Sequence, residues 1–94
     1  MDASYRPLGG MHVDAKTALD TKIRPKLEES FGTGMTDAIL SAYAQQLGVS
    51  LNLPTRDQYV QLAEAVASDT RVREMWGFSK AKFQALAWKG ALRN

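Results

Sequence analysis

One short stretch, residues 49–53, has the alternating apolar pattern of a β-strand, and no second stretch of the chain is suited to pair with it. Val49, Leu51 and Leu53 occupy its alternate positions. A lone strand is not stable as a sheet, so the pattern predicts an extended connector over about 49–54 that lays three apolar side chains on a core. A strand that pairs with its copy in a dimer is the minor alternative. The core must therefore be built from helices.

The sequence before the connector predicts two helices. The first follows Asp14, a suitable N-cap, and ends near Phe31; Pro25 should kink it or divide it in two. Its apolar side chains recur every fourth residue, at Leu19, Ile23, Leu27 and Phe31. The second helix, over about 37–47, is expected to be capped by Thr36 and ended by Gly48.

The sequence after the connector predicts three more helical segments. Thr55 and Gln58 form a capping box at the start of the first. A short helix over about 70–76 follows, and the last helix runs from Ser79 toward Leu92. We therefore predict an all-α fold, a compact and irregular bundle of four or five short helices with one extended connector.

The composition is that of a globular protein. Of the 94 residues, 45% are hydrophobic and 23% are charged, enough for one modest core. Residues 1–12 contain a proline and two glycines without periodicity, so they are expected to form a flexible arm preceding one helical domain over 13–94. The absence of cysteine, of a secretory signal and of a long apolar run favours a cytoplasmic protein without a membrane span.

The residues needed for catalysis or metal binding are scarce. His12 is the only histidine and cysteine is absent, so neither a Ser-His-Asp triad nor a multi-histidine metal site fits one chain. Glu28 and Glu29 are adjacent on a helix and point about 100° apart, which suits solvent better than a shared proton. We therefore expect no enzyme activity, no cofactor and no metal ion.

The charge is distributed unevenly along the chain. Residues 1–70 contain six basic and nine acidic side chains, whereas residues 71–94 contain six basic side chains against Glu74 alone. Aromatic residues lie among these basic groups, at Trp76, Phe78, Phe83 and Trp88. The last quarter of the chain is thus the most suitable region for an acidic partner.

The last predicted helix has two apolar faces. One comprises Phe83, Leu86, Ala87 and Gly90. The nearly opposite one comprises Ala81, Ala85, Trp88 and Leu92. Because Phe78 and Phe83 have the spacing of a hydrophobic staple, the first face is predicted to pack into the core. The second face then needs a partner, either another part of this chain or another molecule.

The basic, aromatic-rich C-terminal third predicts a non-catalytic protein–protein interaction module, such as an adaptor, a small subunit or an inhibitor. Its predicted partner has an acidic or mixed apolar-acidic surface, and formation of a homo-oligomer stays open. The predicted site has an apolar centre, a basic rim and further basic and aromatic contacts. The apolar centre comprises Trp88 and Leu92, and the basic rim comprises Lys82, Lys89 and Arg93. The further contacts are Arg71, Arg73 and Trp76.

Nucleic-acid binding is the alternative. Six basic side chains in the last 24 residues would neutralise phosphates, while Trp76 or Trp88 stacks on an exposed base. The net negative charge of residues 1–70 argues against nucleic-acid binding. The two hypotheses differ in salt dependence, because phosphate binding releases counterions.

Overall fold

The computed structural model describes residues 13–92, so the predicted arm and Arg93 lie outside it. Over this range the chain forms five α-helices and one π-helical turn, without a strand, which confirms the all-α prediction. The elements in order are α1 (Ala15–Ala18), the π-helical turn (Leu19–Ile23), α2 (Arg24–Leu47), α3 (Arg56–Ala67), α4 (Thr70–Trp76) and α5 (Phe78–Gly90).

The predicted first helix is present and is modified in front of its proline. Asp14 caps α1, where its carboxylate accepts the backbone N–H of Thr17 at 2.8 Å. Before Pro25 the helix widens into the π-helical turn, and the N–H of Arg24 donates to the carbonyl of Leu19, five residues back. A proline lacks a donor and crowds the preceding turn, so this local widening replaces the predicted kink or break.

The boundary of the predicted second helix is wrong. The helix is interrupted only at Gly32, whose φ of 79° and ψ of 169° are not helical, and helical geometry resumes at the next residue. Thr36 therefore lies inside α2, where its buried hydroxyl has no hydrogen-bond partner among residues 13–92. The end of the helix is confirmed, because Gly48 is left-handed and the N–H of Val49 donates to the carbonyl of Ala44 at 2.8 Å.

The connector between α2 and α3 is a series of bends, and none of its residues pairs in a strand. Val49 is buried and Leu51 is half-buried, as predicted, but Leu53 is 80% exposed. The hydroxyl oxygen of Ser50 accepts the backbone N–H groups of Asn52 and Leu53, which turns the chain away from the core.

Both following helices begin with side-chain caps. The capping box at α3 is confirmed, since Thr55 and Gln58 each accept the other's backbone N–H, at 3.1 and 3.0 Å. At α4 the carboxylate of Asp69 accepts the N–H groups of Arg71 and Val72. These caps fix where α3 and α4 start, and so where α5 can pack.

One contiguous core lies between the helices, and α5 contributes the face opposite to the predicted one. Trp88 is 2% exposed and its carbonyl accepts the hydroxyl of Tyr59 at 2.7 Å. Phe83 is 72% exposed, so the prediction that its face packs inside is wrong. The small side chains of Ala81 and Ala85 let α5 pack closely, mainly on α3, and this brings the indole of Trp88 inward.

Candidate functional site

The centre of the predicted site is not on the surface. Trp88 is buried, and Leu92 is 3% exposed beyond the end of α5, where it forms an isolated parallel bridge with Val13. A partner cannot reach either side chain without unfolding the end of the helix. Of the two alternatives that the sequence left open for this face, the structure shows the first: another part of the chain covers Trp88 and Leu92, so they do not form an accessible docking centre.

Trp76 is half-buried and held in place from two sides. Its indole N–H donates to the hydroxyl of Ser30 in α2 at 2.8 Å. Its ring meets Trp88 edge-on, with the ring centroids 6.0 Å apart, and lies 6.5 Å from the ring of Phe31. These contacts make Trp76 a fixed wall, with one part of its surface open.

The exposed face of α5 is apolar and uninterrupted by charge. Phe83 and Leu86 are 72% and 56% exposed, and they lie one helical turn apart. The residues on this side of the helix, which we call the outer face, are Ser79, Phe83, Leu86, Ala87 and Gly90. Two further exposed apolar side chains, Met75 and Phe78, come from the end of α4 and the start of α5.

Lysines border the outer face on both sides. Helical spacing places Lys80 on one side and Lys82 with Lys89 on the other, and α5 contains no acidic residue. Lys89 pairs with Glu64 of α3 at 2.7 Å, whereas Lys80 and Lys82 make no ion pair with any residue between 13 and 92. The border of the outer face is therefore positively charged.

The two arginines of the predicted site have partners of their own. Arg71 donates two hydrogen bonds to the carboxylate of Asp69, at 2.9 and 3.1 Å, and Asp69 is only 6% exposed. Tyr43 donates its hydroxyl to the same carboxylate at 2.7 Å. The bonds from Arg71 are the main reason that the pKa of Asp69 falls from 3.8 to about 2. Arg73 places its guanidinium 4.7 Å from the ring centre of Phe78.

Two open grooves run along α5, one on each side of the outer face. The α2–α5 groove has a volume of about 540 Å³ and is lined by Lys26, Ser30, Met75, Trp76, Lys80, Phe83, Gln84 and Ala87. The α3–α5 groove has about 420 Å³ and is lined by Glu64, Ala67, Ser68, Arg73, Phe78, Lys82, Ala85, Leu86 and Lys89. The outer face thus forms a ridge between two depressions.

Sequence reasoning missed the α2–α5 groove and assigned Phe83 and Leu86 to the core. A signal that distinguishes the two faces was present. Ser79 places a hydroxyl among the residues of the outer face, while the face of Trp88 contains no polar side chain in α5. Lys26 and Ser30, which are distant in sequence, reach the groove because the hydrogen bond from Trp76 to Ser30 joins the end of α4 to α2.

Within the described part of the chain, no group of three or more His, Asp or Glu side chains is placed to hold a metal ion. No helix among those residues is both long enough and apolar enough to cross a membrane. Comparisons of the chain with protein-family models, with curated proteins and with solved structures gave no match.

Proposed function

We propose that this protein is a non-catalytic interaction module that docks on a protein partner through the outer face of α5 and the neighbouring Met75 and Phe78. The partner surface has an apolar centre with acidic groups around it. The proposal keeps the C-terminal third as the docking region and moves the apolar centre from Trp88 to the opposite side of the helix.

The exposure of Phe83 and Leu86, side by side on one helix, carries the proposal. Scattered apolar residues are normal on protein surfaces, but a contiguous group of large ones bordered by polar residues is typical of interaction sites. Phe78 and Met75 extend the group, and all four side chains are more than half exposed. Aromatic side chains and methionine are the apolar groups most enriched where proteins meet.

The charge around the outer face selects the class of partner. Lys80 and Lys82 border it on opposite sides without an ion pair among residues 13–92, so acidic groups on a partner would gain from both. A second copy of the chain would bring like charges together, because α5 carries no carboxylate to offset them. Self-association through this face is therefore disfavoured.

Nucleic-acid binding is the second candidate, and the exposed ring of Phe83 between two lysines is the observation that favours it. The two tryptophans are less suitable than the sequence suggested, since Trp88 is buried and Trp76 is held by Ser30. Two basic groups, Arg71 and Lys89, already pair with carboxylates. These two side chains are therefore less available for contacts with phosphate groups.

A capture experiment with matched variants tests the proposal. The full chain, its Phe83→Glu variant and its Leu53→Glu variant serve as baits in a host lysate, with and without nuclease. Leu53 is the control because it is 80% exposed but lies on the connector, remote from α5 in sequence. We expect a protein that the wild type and Leu53→Glu retain, and that Phe83→Glu loses by at least about thirtyfold, the loss that accompanies removal of a hot spot.

Circular dichroism must first show that both variants fold as the wild type does. Retention of the same partner by Phe83→Glu would contradict the proposal. Loss of all binding after nuclease treatment, with affinity that falls steeply between about 50 and 200 mM salt, would replace it with nucleic-acid binding.

A further inference from the structure

The α2–α5 groove differs from its neighbour in how its walls are fixed. The hydrogen bond from Trp76 to Ser30 ties the end of α4 to α2 at 2.8 Å, and Trp88 supports the indole edge-on from the core. Phe83 and Ala87, one helical turn apart on α5, form the facing wall. The Trp76 wall is therefore held in place by the fold itself, which reduces the entropy that binding must overcome.

The charge of the α2–α5 groove is of one sign. Lys26 and Lys80 are its charged lining residues, and no carboxylate lines it. The ammonium group of Lys26 lies 5.8 Å from the ring centre of Trp76 and makes a long, exposed contact of 3.6 Å with Glu29 outside the groove. The lining thus combines an aromatic wall with cations at the rim. This combination suits an apolar side chain that has carboxylates beside it.

The α3–α5 groove lacks this combination. Glu64 lines it and pairs with Lys89 at 2.7 Å, so part of its positive charge is already offset. Arg73 covers one side of the Phe78 ring at 4.7 Å. The α3–α5 groove is also the smaller of the two, at about 420 Å³ against about 540 Å³. A partner's largest apolar side chain is therefore expected in the α2–α5 groove.

Small residues on the outer face indicate the form of the partner. Ala87 and Gly90 lie one turn apart along the exposed side, and a Cβ atom added at Gly90 would meet nothing within 4 Å. The fold itself does not need a glycine there, but a second helix can approach closely where side chains are small. An apolar anchor in a groove with a backbone alongside is how amphipathic helices bind.

We infer that the α2–α5 groove takes the anchor side chain of an acidic amphipathic helix, whose carboxylates meet Lys26 and Lys80. The inference rests on the proposed function and specifies where the partner's main side chain enters. A lipid surface carries anionic groups as well, but it presents no single side chain to fill the groove. Anionic vesicles therefore form a separate arm of the test.

The probe is a synthetic helical peptide, about 18 residues long because shorter isolated helices are marginal in water. It carries one phenylalanine and two leucines at positions i, i+4 and i+7, with glutamates at neighbouring positions. Two control peptides replace either the phenylalanine by alanine or the glutamates by glutamine. The full chain contains only two tryptophans, so fluorotryptophan labelling gives two fluorine NMR signals, which Trp76→Phe assigns.

We expect the peptide to shift the signal of Trp76, which lines the groove, more than that of Trp88, which is buried and meets the ligand only through Trp76. Lys80→Glu should weaken binding at least about tenfold, whereas Lys82→Glu, which changes an exposed lysine on the other side of the outer face, should weaken it less than about threefold. Both control peptides should bind at least about tenfold more weakly than the probe.

A peptide that binds without moving the Trp76 signal, or that loses equal affinity with Lys80→Glu and Lys82→Glu, would overturn the groove inference while leaving the outer face as the docking surface. Failure of the acidic peptide to bind, with a Phe83-dependent protein still captured from the lysate, would do the same. If vesicles containing phosphatidylserine shift the Trp76 signal and the peptide does not, the partner is a lipid surface and the inference is wrong. Capture that does not depend on Phe83 removes the proposed function itself.

Discussion

The two faces of α5 have similar apolar content and opposite positions in the fold. The inner face, with Ala81, Ala85 and Trp88, is buried, whereas the outer face exposes Phe83 and Leu86. The two faces differ in the sizes of their side chains. Ala81 and Ala85 are small and let α5 lie close to α3, and Trp88 then fills the core. On a helix with two apolar faces, the pattern of side-chain sizes is therefore a better guide to the inner face than the number of apolar groups.

The largest contrast is expected between Trp88→Ala and Phe83→Ala. Removing the buried indole should lower the free energy of unfolding by about 3 to 5 kcal/mol, because it leaves a cavity in the core. Removing the exposed ring should change it by less than about 1 kcal/mol, as for other surface substitutions. Chemical denaturation of both variants measures the contrast. Equal losses would show that the outer face is also packed.

A second contrast is between a buried charged group with partners in the fold and an exposed charged group without an ion pair among residues 13–92. The buried carboxylate of Asp69 joins α2 to α4 through Tyr43 and Arg71, so Asp69→Asn should cost about 1.5 to 3 kcal/mol at neutral pH. Lys82→Gln, a change at an exposed lysine, should cost less than about 0.5 kcal/mol. Urea titrations of the two variants make this comparison.

The same carboxylate predicts the pH dependence of stability. The pKa of Asp69 is lower in the folded chain than its ordinary value of 3.8, at about 2. The folded state therefore binds fewer protons, and the stabilisation is complete above about pH 4 and is lost as the pH falls toward about 2. Asp69→Asn should flatten this part of the profile. An unchanged acid profile would mean that the Arg71 pair does not form in solution.

A third contrast comes from adding volume to each face. Ala81→Leu places three extra carbons in a closely packed contact and should cost about 1 to 3 kcal/mol. Ala87→Leu makes the same change on the outer face, where the side chain reaches solvent, and should stay within about 0.5 kcal/mol of the wild type. Thermal unfolding distinguishes them. A tolerated leucine at position 81 would show that the inner face is loosely packed.

The smallest effect is expected at Gly90. Nothing lies within 4 Å of an added Cβ and the residue is helical, so Gly90→Ala should stabilise the fold by about 0.5 to 1 kcal/mol. If α5 approaches a partner helix at this point, the variant should at the same time weaken binding of the acidic peptide. Titration of the peptide against the variant measures this. Lower stability would place Gly90 in a contact within the chain.

Local signals made much of the fold predictable. The caps at Asp14 and Thr55 and the glycine at position 48 act through hydrogen bonds within a few residues, so the sequence contains them completely. Thr36 was misplaced because Gly32 both breaks and restarts the helix, which propensity alone does not show.

The site depended on contacts between residues distant in sequence. Periodicity defines the faces of α5 but not what lies against them, so it could not decide between Trp88 and Phe83. Ser30 and Trp76 are 46 residues apart, and no local pattern relates them. The basic character of the C-terminal region does reach the surface, since Lys80 and Lys82 are exposed beside an apolar surface.

Thiol labelling reports which face of α5 is buried. The chain has no cysteine, so Leu86→Cys and Ala81→Cys each introduce one reporter, the first on the exposed outer face and the second on the buried inner face. We predict that a thiol at position 86 reacts about as fast as in an unfolded peptide, while one at position 81 reacts at least about tenfold more slowly, since it must wait for local opening. Rapid labelling at position 81 together with protection at position 86 would contradict this orientation of α5.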